Sequence, residues 1–491
     1  VTAGPISRRR ALALITLGTA SVAAGAAGWV TGLGAPAVRG HLLPGPAGQL
    51  LTQPTVLASR GGVLRVRLTA AAGAWLAGRH TRALGFNGTS PGPTLRVRPG
   101  DLLQVQLVNQ LDQPTNLHTH GLHVAPEDHG DNPFVTIDPG ASFDYSYRIP
   151  ATHPTGTFWY HPHHHGHVAD QIFGGLAGAL LVDDGPDLPV TRDRMLLVMD
   201  TTLDAAGHVA TASAMDRMIG REGELVLLNG QHQPHIASTA GGAERWRVIN
   251  GCTSRVLALR LDGHQLTQVA LDGHFLPAPA DRDRVVLAPG NRADLIVRPT
   301  GSGQFGLVTD PYDRGGAGMM GGMGMGGRAT GNRPITLATL TITGPAAPPP
   351  SLPASLPAPP TPQGPPSAHR QLSFAMGMGP GGMRFTIDGR GFDPTRDDHS
   401  VRLGTIEDWT ITNTSPMDHP FHLHVWPIHV LSASAPGAPG ANLQDVVLIP
   451  ARGSVRLRIP FTDYAGRSVF HCHILDHEDA GMMATVNVHA T

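Results

Sequence analysis

Four short motifs of the form His-x-His recur along the chain: His118 and His120, His161 and His163, His422 and His424, and His471 and His473. On an extended strand residues i and i+2 face the same side, so each pair presents two imidazoles to one place. Neutral imidazole ligates several transition metals, copper among them, and eight converging rings suit a cluster of copper ions. One such pair in a chain with 27 histidines carries little weight; four at matched positions carry much more.

The last pair encloses Cys472, which the same alternation turns to the opposite face. His477 follows at a spacing of five and Met482 at ten, and His419 lies upstream. Two histidines, one thiolate and one weak thioether make the ligand set of a blue-copper, one-electron site. Met483 offers the same thioether as Met482, and core packing is the plainer use for either. His471 and His473 are covalent neighbours of Cys472, so an electron received at the thiolate has a short path to the cluster behind it. The position that matches Cys472 in the first segment is Pro162, which leaves a single blue site near the C-terminus.

The elements that position these residues are strands. From about residue 50 the chain consists of short alternating runs such as VLRVRL, TLRVRPGDLLQVQLVN and SVRLRIPF, broken by Gly, Pro and Asp. Period two with this density of turn signals predicts an all-β sandwich architecture. A length of 491 residues suits about three domains of roughly 100 to 200 residues each. An internal repeat marks them: DLLQVQLVN ends at Asn109, ERWRVIN at Asn250 and EDWTITN at Asn413, with Val105, Trp246 and Trp409 four positions earlier. Nine and eleven residues after Asn109 stand His118 and His120, and the same offsets from Asn413 reach His422 and His424. From Asn250 they reach Leu259 and Leu261. Likewise Gly156 and Gly466 each precede a ligand pair by five residues, while the middle stretch GSGQFGLVTD holds no histidine. The expected domains are therefore 50–185, 190–343 and 368–491, with the proline-rich 344–367 as an extended linker. The outer two are expected to clasp a site, the middle one carrying no ligand.

Composition removes other classes. With 36 basic and 37 acidic side chains there is no basic surplus for nucleic acid. Ser7 and Arg8–Arg10 precede an uncharged run from Ala11 to Val38, and Ala35-Pro36-Ala37 offers small residues to a signal peptidase. Residues 1–37 thus read as a twin-arginine signal peptide, sending the chain to the periplasm, cell envelope or medium without membrane attachment after cleavage. An uncleaved anchor is the alternative, weakened by the run's many Ala and Gly residues.

The strings HTHG, WYHPHHHG, HPFHLH and HCHILDHEDAGMM resemble the four copper signatures of multicopper oxidases, and the similarity runs from about Gly85 to the C-terminus. This resemblance implies three consecutive cupredoxin-like Greek-key β-sandwich domains and four coppers per chain. It likens His419, Cys472, His477 and Met482 to type 1 ligands, and His118 and His422 to type 2 ligands. His120, His161, His163, His424, His471 and His473 then match the type 3 pair. Family enzymes oxidise a reducing substrate one electron at a time and reduce O2 to water. They also pass protons through acidic residues, a role that Glu478 matches and that either Asp131 or Asp128 could share, local spacing departing from the family pattern. His164, His165 and His167 are expected to support ligands or face solvent, and Cys252 to be a buried structural thiol.

Substrate is less legible. Met319, Met320, Met323 and Met325, and then Met376, Met378 and Met383, form two glycine-rich methionine segments. Thioethers select Cu(I), and the segments resemble the methionine-rich feature of copper-efflux oxidases. Ser415, however, stands where those enzymes share an acidic residue. Oxidation of Cu(I) and of phenols or aromatic amines stay level. The expected partners are O2 and a small reducing substrate, acting on a monomer. A copper carrier or copper-tolerance protein without turnover is the alternative, and the complete ligand set argues against it.

Overall fold

The computed structural model describes residues 47–183, 188–315, 333–345, 348–379, 382–434 and 443–490. The expected signal peptide and the first methionine segment, Met319 to Met325, lie outside them. Three pairs of sheets follow one another along the chain, and each pair encloses its own apolar core. These are three cupredoxin-like β-sandwiches.

The internal repeat becomes a shared strand plan. The strands Leu102–Asn109, Glu244–Asn250 and Thr405–Asn413 each sit inside the first sheet of their sandwich. Each runs parallel to an earlier strand, Val63–Ala72, Arg192–Thr201 or Ala368–Gly379. Each runs antiparallel to a later one, Ser142–Arg148, Arg292–Val297 or Ser454–Phe461. Alternation drives the packing: Leu103, Val105 and Leu107 point inward while their neighbours are part-exposed. Trp246 and Trp409 are fully buried, and each indole N–H donates to a glutamate two residues before it, Glu244 at 3.0 Å and Glu407 at 2.8 Å.

The repeated asparagines explain the constant offset to the ligand strands. The Oδ1 atoms of Asn109, Asn250 and Asn413 accept from the backbone N–H two residues on, at Leu111, Cys252 and Ser415. Their Nδ2 groups donate to carbonyls further along the turn, Gln113, Arg255 and Met417. An asparagine side chain that closes its own turn fixes where the chain re-enters the sandwich. It re-enters as His118–His120, Leu257–Leu261 and His419–Leu423 in the second sheets. There these strands pair antiparallel with Gly156–His161, Gly303–Asp310 and Gly466–Cys472. In the middle sandwich Leu259 and Leu261 belong to the core, each burial contributing about 1.5–3 kcal/mol.

The proline-rich stretch is extended yet tied down. Leu352 and Leu356 pack against the outer face of the middle sandwich beside Phe275 and Ile296, and the Leu356 N–H donates to the Pro277 carbonyl at 2.9 Å. Three short helices, Val168–Gly174, Ala214–Ile219 and Leu475–Asp479, lie among the described residues. No helix there is long and apolar enough to cross a membrane.

Candidate metal centre

The four His-x-His pairs converge. Strand register sets His118 opposite His161 and His422 opposite His471. The first and third sandwiches then bring their pairs face to face: His118 Nε2 is 3.3 Å from His422 Nε2, and His163 Nε2 is 3.1 Å from His471 Nε2. His424 Nε2 lies 3.2 Å from the same His471 atom, so His163, His424 and His471 form one trio of donors. His120 Nδ1 lies 3.3 Å from His161 Nε2, with the His473 ring 5.1 and 5.9 Å from theirs. All eight rings are buried.

Outward hydrogen bonds decide which nitrogen five of the rings turn inward. A neutral imidazole has one N–H and one lone pair, so a ring that donates outward offers its other nitrogen to the cluster. The Nδ1–H groups of His161, His471 and His422 donate to the carbonyls of Pro162, Cys472 and Asp445 at 2.8, 3.0 and 2.8 Å. His118 Nδ1 donates to Asp131 at 2.9 Å. His120 is reversed: its Nε2 is bound to Asp445 Oδ1 at 3.0 Å and Nδ1 faces inward.

Burial, reinforced by neighbouring rings, holds His118, His120, His161, His163, His422, His424 and His473 well below the usual imidazole range. They are neutral donors at neutral pH. Both ring nitrogens of His473 and Nδ1 of His424 are buried without a hydrogen-bond partner. Lone pairs facing one another with such orphaned atoms fit a cation held between them.

On the other face of the same strand lies the Cys472 site. His419 Nδ1 is 3.3 Å and His477 Nδ1 3.9 Å from Cys472 Sγ. Their outer nitrogens are tied back, His419 Nε2 to Ser415 Oγ at 2.8 Å and His477 Nε2 to the Met218 carbonyl at 3.1 Å. Met482 is fully buried in the same apolar cluster as Cys472, and Met483 is not part of that cluster. Burial pushes the Cys472 thiol up and the His419 imidazole down to about 3, Arg314 adding to the latter. A thiol so placed ionises when a metal cation takes the proton's place. Phe385 stacks on the His477 ring at 4.3 Å, and His477 is fully buried.

Three family models described as multicopper oxidase match residues 69–187, 159–322 and 357–491. The chain belongs to the multicopper oxidase family. It is 28% identical over 423 residues to the multicopper oxidase mco of Staphylococcus aureus, covering 84% of this chain and 85% of that one. Its fold is similar to a multicopper oxidase of Campylobacter jejuni described as a metallo-oxidase, with a TM-score of 0.81, 29% identity and coverage of 93% and 98%. A cell division protein, FtsP of Edwardsiella tarda, is 29% identical over 385 residues, 75% of this chain and 77% of that one. Family membership makes copper the cofactor and oxidation the class of chemistry.

Acidic residues of this multicopper oxidase reach the cluster from two sides. Asp131 is buried, accepts from the Thr119 N–H at 2.8 Å and lies 3.5 Å from His424 Nδ1, whereas Asp128 is exposed on the loop. Glu478 is fully buried, 3.3 Å from His163 Nε2 and 3.0 Å from His471 Nδ1, and neither carboxylate oxygen has a hydrogen-bond partner. His164, His165 and His167 are part-buried, His164 contacting Thr136 Oγ1 at 3.1 Å. Cys252 is a free, fully buried thiol in the middle core.

Sequence reasoning missed Asp445 and Arg292. Nothing local distinguishes either, since each acts on a side chain from a different sandwich, Asp445 on His120 and Arg292 on Asp445. It also missed Asp476, on the short helix that carries His477. Its carboxylate is held by Arg221 of the middle segment at 2.6 Å, which pins that helix in place.

Proposed function

We propose that this chain is a four-copper oxidase that takes single electrons at a type 1 site and delivers them to O2 at a trinuclear cluster. The single observation that carries the reading is the back-to-back arrangement on one strand, with His471 and His473 facing the cluster and Cys472 facing its own pair of histidines. In this assignment His419, Cys472, His477 and Met482 hold the type 1 ion, and His118 and His422 the type 2 ion. His163, His424 and His471, and then His120, His161 and His473, hold the type 3 pair. Copper, when bound, supplies one-electron exchange at the first site and reduction of dioxygen at the second. The covalent bonds from Cys472 to its two neighbours join the two donor sets. Glu478 delivers protons between His163 and His471, and Asp131 orients His118 and His424. The units 50–185, 190–343 and 368–491 and the exported mature chain after residue 37 belong to the same proposal.

The reducing substrate is a soft metal ion, Cu(I). This reading is supported by the cover over His477: a bulky phenol meets Phe385 and the helix Ala214–Ile219, whose Met218 carbonyl accepts from His477 Nε2, before any ring edge. Gly315, three residues before the first methionine segment opens at Gly318, bridges to Met417 of the loop before His419. Oxygen uptake with Cu(I), an iron(II) salt and a phenol tests it. Rapid turnover of Cu(I) is expected, and deletion of Gly318 to Gly327 should lower that rate while raising phenol oxidation. Metal analysis finding zinc or a single copper would overturn the four-copper reading, and copper binding without oxygen consumption would favour a carrier. A phenol preferred over Cu(I) by the intact chain would overturn the substrate class alone.

A further inference from the structure

The middle sandwich supplies no metal ligand in this assignment, yet one of its side chains reaches the wall of the histidine cluster. Arg292, first residue of the strand Arg292–Val297, is fully buried. Its two terminal nitrogens grip the Asp445 carboxylate at 2.5 and 2.6 Å, a bidentate pairing. Its Nε donates to the Thr157 carbonyl at 3.1 Å and its ring-facing side lies over Phe158. Asp272, also of the middle sandwich, accepts from the backbone N–H of Arg292 at 2.9 Å and from those of Asp445 and Val446 at 3.2 Å. One buried knot thus joins all three sandwiches.

The knot ends on His120. Asp445 Oδ1 binds His120 Nε2 at 3.0 Å, and both carboxylate oxygens already accept from the Arg292 guanidinium, so the ring proton sits on Nε2 and the lone pair on Nδ1. The neighbouring rings of His118, His161, His422 and His471 are tied the other way round, by Nδ1. The Asp445 carbonyl also fixes His422, whose ring stacks on His120 at 3.8 Å. Space has been left for the pair: at Gly121, in the left-handed region, a Cβ would meet Arg292 Nη2 at 2.4 Å and Asp445 Oδ2 at 2.5 Å.

We propose that Arg292 is a positioning residue for the trinuclear cluster, clamping Asp445 so that His120 presents Nδ1 to its metal. The inference rests on the copper reading above. Without the guanidinium, Asp445 is an uncompensated buried charge, free to turn from His120 or to draw in water. Lysine supplies charge but only a single point of contact, so it should restore binding in part.

The test uses the intact holoenzyme with Arg292→Met and Arg292→Lys. Copper per chain is titrated against a Cu(I) chelator, the coupled pair is read by electron paramagnetic resonance, and melting is recorded with and without copper. Expected are an unchanged blue band, type 3 affinity about 10–100-fold weaker in Arg292→Met and less so in Arg292→Lys, and a smaller copper-dependent rise in Tm. A merely structural role would lower Tm equally with and without copper and leave affinity alone, which would overturn the proposal, as would full, normally coupled copper in Arg292→Met. Should Arg292→Met fail to fold, Arg292→Lys decides by the same affinity and coupling measurements. Failure of the copper reading would instead appear in the unmodified chain, as the wrong metal or the wrong count.

Discussion

Acidifying the copper-stripped chain should unfold it over a narrow range, because so many of its histidines are buried neutral. His153 and His419 set the scale: burial holds the first at about 4 and the second at about 3. Their unfolded counterparts titrate near the ordinary value of about 6.5. Below that value the unfolded chain binds protons that the folded chain refuses, so stability rises with pH and is lost as pH falls. Each histidine contributes a slope of about 1.4 kcal/mol per pH unit, so this pair alone removes about 4 kcal/mol between roughly pH 6 and 4.5. Folded domains hold about 5–15 kcal/mol in total. The seven cluster histidines held well below their usual range act with the same sign, so the collapse should be steeper than two residues imply. Guanidinium midpoints, followed by tryptophan fluorescence at pH 7.5, 6 and 5, measure it with and without copper. Copper-loaded protein should resist to lower pH, since its metal occupies the lone pairs that protons need. A stripped chain with the same midpoint at pH 7.5 and pH 5 would refute the account of buried, neutral imidazoles.

Three further outcomes are expected. Cys472→Ser should remove the blue absorption while leaving the other three coppers largely bound, as metal analysis and spectroscopy would show. Leu259→Ala should cost about 2–5 kcal/mol of stability through an unfilled cavity in the middle core, yet leave copper content unchanged; thermal melting and metal analysis check the two halves separately. Glu478→Gln preserves shape while removing the exchangeable acid proton, so oxygen reduction should slow about 100-fold or more with type 1 reduction unaffected, read by stopped-flow bleaching and recovery of the blue band.

Whatever depends on local period is legible along the chain. Which residues of His471, Cys472 and His473 share a face follows from alternation along one strand, and the matching offsets from Asn109 and Asn413 follow from side chains that close their own turns. The emptiness of the middle ligand positions was equally legible, because Leu259 and Leu261 sit at the same offsets. Spacing could not separate Asp131 from Asp128, three residues apart on one loop; the path of that loop turns one toward His118 and leaves the other in solvent. Nor could it find Asp445 against His120, 325 residues away, or Arg292 against Asp445, 153 residues away. Pattern along a chain encodes which way a side chain points within its own strand. Which buried charge meets which ring across three sandwiches is decided when the sandwiches pack, and that packing gives the cluster its tautomers and His477 its cover.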